Sequence, residues 1–446
     1  MVTSETTKKT IFRDFTKYVS MSVIGMICVS FYVFADTIFI AIAMGSEGLA
    51  ALTISMPIFG IVHGIGLMIG IGGATLYSIM KNKNDEDAAT VFTHSLIAGL
   101  FASTVFVLAG IFFTTPLAKA FGADADILPM AAVYMQTILH YAPALVFCNI
   151  LIAFLRNDKD PQLAMAGMVT ASLSNIVLDY VFMFPLSMGM FGAALATGLS
   201  SILSAFVMCA HFFKKSNRLS LRKCKIKIGK LAKTFSLGAS TLINELAFTV
   251  SVIVFNLVIL RIEGNIGVAA FGIVANSAFV IIAIFVGVAQ GIQPLISKGH
   301  GRGDKFLLRQ TIKYAAATVF SLALLIYGAV FFNAPVIVSA FNIEADISLA
   351  FLATNGMKIY FIGLVFAGLS VLAAAFFSAS DNAKAAVAIS VLRSFVINIP
   401  LVIILGTIFG MNGVWSSYVL TELLVSLLAV AYFLKNSKLL KRRSCQ

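Results

Sequence analysis

The chain has 446 residues, of which 60% are hydrophobic and only 11% are charged, and its mean hydropathy is +0.98. This composition excludes a water-soluble globular protein, because a soluble domain of this size does not need so much apolar surface. It also excludes a membrane β-barrel, since the apolar residues form runs of about 20 instead of short alternating segments. The sequence therefore predicts an all-α membrane protein.

Twelve apolar spans follow one another along the chain. They are predicted at 15–43, 49–80, 89–113, 127–154, 163–184, 190–213, 234–260, 266–297, 310–332, 347–377, 385–409 and 412–434. Most of the 32 lysines and arginines lie at the two ends or in alternate loops. Under the positive-inside rule, this distribution predicts a multi-pass protein of the cell (inner or plasma) membrane with both termini in the cytoplasm.

The formal charge of +13 does not by itself indicate a nucleic-acid partner. Its largest contribution is the run "KKSNRLSLRKCKIKIGKLAK" at 214–233, which lies in a predicted cytoplasmic loop between spans 6 and 7. Basic loops on that side are attracted to the anionic inner leaflet. The predicted partners are therefore the lipid bilayer and small molecules, with no nucleic acid, and the chain is expected to act as a monomer.

Three sequence patterns recur about half a chain apart. "AFGADADI" at 120–127 recurs as "AFNIEADI" at 340–347, and "AFLRNDKDPQLAM" at 153–165 parallels "AFFSASDNAKAAV" at 375–387. "MFGAALATG" at 190–198 parallels "MNGVWSSYV" at 411–419. Six spans per half is an even number, so both halves enter the membrane from the same side. This predicts two parallel six-helix repeats related by a pseudo-two-fold axis along the membrane normal, an arrangement used for alternating access.

The repeat also divides the chain. The predicted domains are an N-terminal six-helix lobe at 1–213, a basic cytoplasmic linker at 214–233 and a C-terminal six-helix lobe at 234–446.

Four of the 19 acidic residues lie inside predicted spans: Asp36, Asp179, Glu245 and Glu422. A charge in a membrane span costs several kcal/mol, so each needs a reason. Counted from the predicted span ends at 1.5 Å per residue, Asp36, Asp179 and Thr197 all lie about 8–11 Å below the outer face. Asn175 is one turn from Asp179 on the same helix face. Two carboxylates, an amide and a hydroxyl are thus expected at one depth in the N-terminal half.

Such a group of oxygens has two chemical interpretations. It offers hard ligands for Na⁺, and it also offers two close carboxyls that can hold a proton. The alternative is structural: Asn175 and Thr197 bond backbone carbonyls, and Asp36 faces water near a loop.

Glu245 lies near the middle of span 7. One interpretation is a second coupling site, or a group that receives a cationic substrate. The other is charge neutralisation of Arg393, although Glu422 is the favoured partner of Arg393. Gln290 and Gln293 in span 8 are candidates for lining a substrate cavity.

No pattern in the sequence indicates an enzyme. The histidines have no metal-ligand spacing, and serine, histidine and cysteine form no triad-like arrangement. The glycines of "GVAQGIQPLISKGHGRGD" at 287–304 have no lysine in phosphate-loop register. The five cysteines (Cys28, Cys148, Cys209, Cys224 and Cys445) are expected to be free thiols, and no cofactor is predicted.

These motifs together resemble the multidrug and toxic-compound extrusion (MATE) family. The resemblance covers the full length. It includes the twelve spans in two halves, "FADTIFIAIAMGSEGLAALTISMPI" at 34–58, and "NIVLD" in span 5 with the threonine of span 6. It implies a cation site formed by four residues that match the family pattern: Asp36, Asn175, Asp179 and Thr197. It also implies that Tyr32, one turn before Asp36, faces the same cavity.

The resemblance implies an antiporter that exports amphipathic, often cationic compounds in exchange for Na⁺ or H⁺. Span 1 departs from some members of the family, because it has Gly25 but no proline at which to bend. The alternatives are a flippase for lipid-linked precursors, from the same superfamily, and a membrane scaffold without transport. A flippase needs a strongly basic cavity, and the spans offer Arg393 alone near mid-depth.

Overall fold

The computed structural model describes residues 4–83, 85, 87–215, 217–342 and 346–441, with side chains for all of these except 4–7, 249, 340 and 436–441. Every regular element in these ranges is helical. The helices are α1 (Ser4–Asn82), α2 (Ala88–Phe112), α3 (Thr114–Ala120), α4 (Leu128–His140), α5 (Ala142–Asn157), α6 (Pro161–Met183), α7 (Gly189–Cys209), α8 (Ile228–Arg302), α9 (Lys305–Phe341), α10 (Ile347–Ala379), α11 (Ala383–Val391) and α12 (Asn398–Lys441). A 3-10 turn (Ala210–Phe213) follows α7, and a π-helical turn (Leu392–Val396) follows α11.

Three helices contain a glycine whose backbone is not helical. These are Gly45 in α1 (φ 63°, ψ −150°), Gly264 in α8 (φ 62°, ψ −151°) and Gly410 in α12 (φ 60°, ψ −143°). Each glycine lies between two predicted spans. Within the described ranges, eight continuous helical stretches are long and apolar enough to cross a membrane, and α4 with α5, bent by 52°, makes a ninth. Three of these nine stretches are each divided into two spans by one of the glycines. The nine stretches therefore contain the twelve predicted spans.

The predicted repeat is visible in the backbone. Residues with positive φ recur about 220 positions apart, in the pairs Gly45 and Gly264, Lys159 and Asp381, and Gly189 and Gly410. The start of α6 is capped by Asp160, which accepts from the Leu163 N–H, and α11 starts in the same way with Asn382 and Ala385. Equivalent turns and caps in both halves agree with a duplicated six-helix unit.

Residue contacts divide the chain into two compact units. Unit 1 comprises 1–19, 247–299 and 303–446, and unit 2 comprises 20–246 and 300–302, as far as these residues are described. The breaks at 19/20 and 246/247 fall within α1 and α8, whereas the sequence places the lobes at 1–213 and 234–446. The lobe boundaries therefore stay a prediction.

Each unit has its own apolar core. Phe92, Met135 and Phe154 are among the fully buried side chains of unit 2, and Phe285 and Trp415 are among those of unit 1. Cysteines do not crosslink either core, because the four described cysteines are free thiols. The fifth, Cys445, lies outside the described residues.

Candidate functional site

A polar cluster lies within unit 2, formed by α1, α6 and α7. Asp36 on α1, Asn175 and Asp179 on α6, and Thr197 on α7 are 6%, 1%, 0% and 6% exposed. The Asn175 amide donates to the Thr197 hydroxyl at 3.3 Å, and the carboxyls of Asp36 and Asp179 are close enough to interact electrostatically. The structure thus brings together the four residues that the depth argument placed at one level.

Helix geometry explains how α6 and α7 present this cluster. Asn175 and Asp179 are one turn apart, and both lie on the buried face of α6. On α7, Gly198 follows Thr197, and a side chain at Gly198 would overlap the ring of Tyr141. Glycine is therefore required beside Thr197 for Tyr141 at the α4–α5 bend to pack against α7.

Four oxygens in this cluster are buried and accept no hydrogen bond from the described residues. They are Asp36 Oδ1, Asn175 Oδ1 and both carboxylate oxygens of Asp179. Native proteins pair nearly all buried polar atoms, and a bare buried carboxylate is especially costly. Oxygen ligands of this kind suit Na⁺, and a proton on either carboxyl would also satisfy the group. The donor set fits both interpretations, and the burial argues against the alternative that Asp36 is a water-facing rim residue.

Two tyrosines lie near the acidic pair. Tyr32, one turn before Asp36, is half-buried and lies within electrostatic range of Asp36, Asp179 and Glu245. That it faces the substrate cavity, as the resemblance implies, stays a prediction. Tyr134 on α4 is 3% exposed and also interacts with both aspartates. The sequence does not single out Tyr134, because nothing in α4 alone indicates which tyrosine points toward α1 and α6.

The partner of Glu245 is a histidine. Glu245 Oε2 lies 3.6 Å from His63 Nδ1, and both side chains are partly exposed, at 37% and 29%. The His63 ring stacks on Phe59, with centroids 5.7 Å apart. The interpretation that Glu245 neutralises Arg393 is wrong, because Arg393 Nε donates to Glu422 Oε1 at 2.6 Å. The sequence does not indicate this pairing, because His63 and Glu245 are distant in sequence.

The favoured Arg393–Glu422 pair is confirmed and lies in unit 1, with Glu422 buried and Arg393 largely buried. The side chains of Arg393 and Glu422 are 16% and 2% exposed. Arg393 lies in the π-helical turn, which re-aims side chains by adding a residue to one helical turn. Burial and direct pairing make this ion pair part of the packing of unit 1.

Gln290 and Gln293 belong to unit 1, on the part of α8 that follows Gly264. Both are 8% exposed. Their role in a substrate cavity stays a prediction.

A charged cluster at the start of α6 was not predicted. His211 is fully buried, with Nε2 3.0 Å from Asp158 Oδ2 and Nδ1 3.0 Å from Asp160 Oδ2. Lys81 donates to Asp158 Oδ1 at 2.8 Å, and Lys214 donates to Asp160 Oδ2 at 2.7 Å. Burial would raise the pKa of Asp158 and Asp160, but the hydrogen bonds from His211 and the lysines outweigh it, so both carboxyls have pKa values below the ordinary one.

Comparison with protein families identifies the architecture. The family model MatE matches residues 22–181 and 241–404, once in each half of the chain. The chain belongs to the MatE family. Two matches to one family model also agree with the repeat seen in the turns and caps.

Relatives of this MatE chain match it over nearly its whole length. It is 25% identical over 434 residues to the "Multidrug export protein MepA" of Staphylococcus saprophyticus, covering 96% of this chain and 95% of that protein. It is also 25% identical, over 437 residues, to the MepA of Staphylococcus aureus strain MSSA476, with 96% and 95% coverage.

Solved structures show the same fold. An outward-facing MATE family transporter of the MOP superfamily superposes with a TM-score of 0.91 at 22% identity, covering 96% of both chains. A MOP superfamily transporter from Pyrococcus furiosus Vc1 superposes with a TM-score of 0.90 at 22% identity, also covering 96% of both chains. The twelve-span MATE fold predicted from the sequence is confirmed.

Proposed function

We propose that this MatE chain is a cation-coupled antiporter that exports amphipathic, often cationic compounds by alternating access. The observation that carries the proposal is the set of four buried oxygens of Asp36, Asn175 and Asp179 that have no hydrogen-bond partner among the described residues. A protein that only scaffolds has no reason to bear the cost of two buried carboxyls. The relatives named multidrug export proteins support the export direction and the substrate class.

The cation site would consist of Asp36, Asn175, Asp179 and Thr197. Na⁺ or H⁺ entering from outside would neutralise the carboxyls, and its release inside would leave them charged again. Each state favours a different degree of hydration around α1 and α6, so ion binding can bias the transporter toward one orientation. Tyr32 would lie on the path to the site, and Glu245 with His63 would form a separate polar position.

The driving force is sufficient for drug accumulation. One pH unit supplies about 1.4 kcal/mol per proton. A membrane potential of 100 mV adds about 2.3 kcal/mol per charge. Together they support a substrate ratio of several hundred when one cation drives one neutral substrate. We further propose that the protein lies in the plasma membrane with both termini in the cytoplasm, as the distribution of lysine and arginine supports. We also propose that it acts as a monomer.

The flippase alternative fits the charges less well. Recognition of a pyrophosphate needs uncompensated basic side chains. Arg393, the candidate inside a predicted span, is already paired with Glu422.

Transport into inverted membrane vesicles tests the proposal. We expect an ethidium-like dye to accumulate in the vesicle when a higher concentration of Na⁺ or H⁺ inside the vesicle drives the exporter in its physiological direction, and we expect accumulation to stop when an ionophore collapses that gradient. Dye flux that does not depend on the cation gradient would indicate a channel. Absence of flux for dyes, combined with movement of a lipid-linked sugar, would indicate the flippase.

A further inference from the structure

The segment 217–228, which we term the basic strap, is an ordered surface feature of unit 2. It contains Arg218, Arg222, Lys223, Lys225 and Lys227, and no acidic residue. Apart from Ile228, the first residue of α8, it forms no helix, yet three of its backbone N–H groups donate hydrogen bonds to other parts of the unit. The Arg218 N–H donates to Asp158 at 2.7 Å, the Arg222 N–H to the Thr93 hydroxyl at 3.1 Å, and the Lys227 N–H to the His94 ring at 3.0 Å.

These anchors decide which side chains face outward. Leu219 is 3% exposed and packs inward, so it fixes the strap from below. Leu221, Ile226 and Ile228 are 73%, 57% and 79% exposed. Large apolar side chains that are held outward on an ordered segment indicate contact with another apolar phase.

The charges are arranged around these apolar side chains. Arg222, Lys223 and Lys225 are all exposed and lie between Leu221 and Ile226 in the sequence. The Lys227 side chain is less available to a ligand, because its ammonium donates to Asp87 at 2.5 Å. A surface that combines several cationic heads with apolar side chains matches the boundary between phospholipid headgroups and acyl chains.

The position of the strap agrees with this match. It joins the 3-10 turn after α7 to the start of α8, and its anchors are at the N-terminal part of α2 and the α5–α6 turn. These are the ends of membrane-spanning helices, which lie where headgroups lie. The strap is held in place before any lipid arrives, so binding would cost little conformational entropy.

We propose that the basic strap is a binding surface for anionic phospholipid. Arg222, Lys223 and Lys225 contact the headgroup phosphates, and Leu221 and Ile226 enter the upper acyl region. The surface is separate from the acidic cluster, so this proposal stands independently of the coupling mechanism.

The test uses the full-length chain purified in a neutral detergent. Short-chain phosphatidylglycerol is titrated in, and the midpoint of thermal unfolding is compared with the midpoint in short-chain phosphatidylcholine. A lipid that binds the folded state raises the midpoint in a saturable way. We expect phosphatidylglycerol alone to do so, and high salt to remove most of the rise.

The decisive variant is R222Q/K223Q/K225Q. We expect its apparent affinity for phosphatidylglycerol to fall by about 100-fold, since each basic group near an anionic surface contributes roughly a factor of five. The matched control is K305Q/R309Q/K313Q on α9, which removes the same charge on the same predicted side and should keep most of the affinity. Equal loss in both variants would show a diffuse charge effect and overturn the proposal.

Two further measurements keep the proposal testable if the triple variant folds poorly. L221S/I226S keeps every charge and changes only exposed side chains, and we expect it to weaken phosphatidylglycerol binding. A short RNA oligonucleotide serves as a polyanion without acyl chains. If RNA raises the midpoint as much as phosphatidylglycerol does, the strap is a general polyanion site and the lipid assignment is wrong.

Discussion

At the scale of single residues, the two buried aspartates explain the most about this chain. Asp36 and Asp179 are 6% and 0% exposed, and three of their carboxylate oxygens are unpaired among the described residues. Two carboxyls so placed cannot both remain charged and bare. Their neighbours, Asn175 and Thr197, add uncharged oxygens, which is the chemistry of a reversible cation site.

The first prediction is that Asp36→Asn abolishes gradient-driven export. The amide keeps the size of the side chain but can neither take up a proton nor balance Na⁺. Asp179→Asn should act alike, and the double variant should be no worse than either single one, because the two residues serve one site. Dye export is measured at equal protein levels, with the exposed loop variant Asp126→Asn as the matched control. Normal export by Asp36→Asn would remove this residue from the coupling site.

A second prediction concerns Glu245. Glu245→Gln should reduce export of a cationic dye more than export of a neutral one, because its carboxylate is half-exposed beside His63. The double variant Glu245→Gln with Arg393→Gln should not restore export, since Arg393 is held by Glu422. Transport of paired cationic and neutral substrates checks both statements. Recovery of export in the double variant would reinstate Arg393 as the functional partner.

The pKa values of the α5–α6 turn provide a third prediction. The folded-state pKa of Asp160 is below its unfolded value, so its contribution to stability is present above about pH 4 and is lost as the pH falls through the folded pKa. Asp160→Asn keeps an N-cap for α6 but removes the negative charge that pairs with His211 and Lys214. We expect a loss of roughly 1–3 kcal/mol near neutral pH.

The measurement is the midpoint of thermal unfolding from pH 7 down to pH 3. The variant should start lower than the natural chain and decline less over the acid range. Parallel curves for the two proteins would contradict the assigned role of the Asp160 carboxylate.

At the scale of elements, the glycine breaks decide how helices become hairpins. α1 and α8 are each long enough to contain two spans, and each turns at one glycine, Gly45 or Gly264. The backbone there has positive φ with ψ near −150°, a region that residues with a Cβ rarely adopt. Without these glycines, each helix could continue without a turn through 45 or 264. The two glycines therefore determine where one span ends and the next begins.

The corresponding prediction is that Gly264→Ala destabilises the protein by about 1–3 kcal/mol. Nothing lies within 4 Å of the position where the new Cβ would be, so the cost is backbone strain and not a clash. Gly272→Ala on the same helix is the control, because a Cβ there also meets nothing within 4 Å and its φ is ordinary. There, alanine should be neutral or stabilising by about 0.5–1 kcal/mol. Unfolding in a denaturing detergent distinguishes the two, and similar curves would exclude strain at Gly264.

At the scale of the whole molecule, the two repeats have equivalent turns and caps but differ at the positions of the proposed ion site. By the offsets of the repeated turns, Asp36 corresponds to Phe255, and Asp179 corresponds to the apolar positions Pro400 and Leu401. Unit 1 keeps an amide–hydroxyl group, in which Asn398 lies 3.4 Å from Ser251 and 3.5 Å from Thr421. It lacks the carboxylates at these positions, so only unit 2 can charge and discharge there.

We therefore predict a single saturable cation site per chain. If the ion is Na⁺, its protection of the fold against heat should follow one-site binding, reaching about 2.7 kcal/mol at a hundred times the dissociation constant. Asp36→Asn should remove this protection, and Asn398→Ala should leave it intact. If the ion is H⁺, proton uptake measured in weak buffer should respond to the same two variants in the same way. Loss of binding in Asn398→Ala would show that unit 1 also contributes.

Composition and charge position determined the membrane class and the twelve spans, because bilayer thickness and the cost of buried backbone leave few alternatives. The motifs that recur about half a chain apart determined the repeat. Helix rise placed Asp36, Asp179 and Thr197 at nearly one depth, and the four-residue spacing added Asn175, since position along a straight helix is a local quantity. Direction around the helix axis and contact between distant helices are not local. Tertiary packing therefore decided that these four residues meet, that Tyr134 joins them, that Glu245 faces His63, and that the basic strap turns its charges and apolar side chains outward.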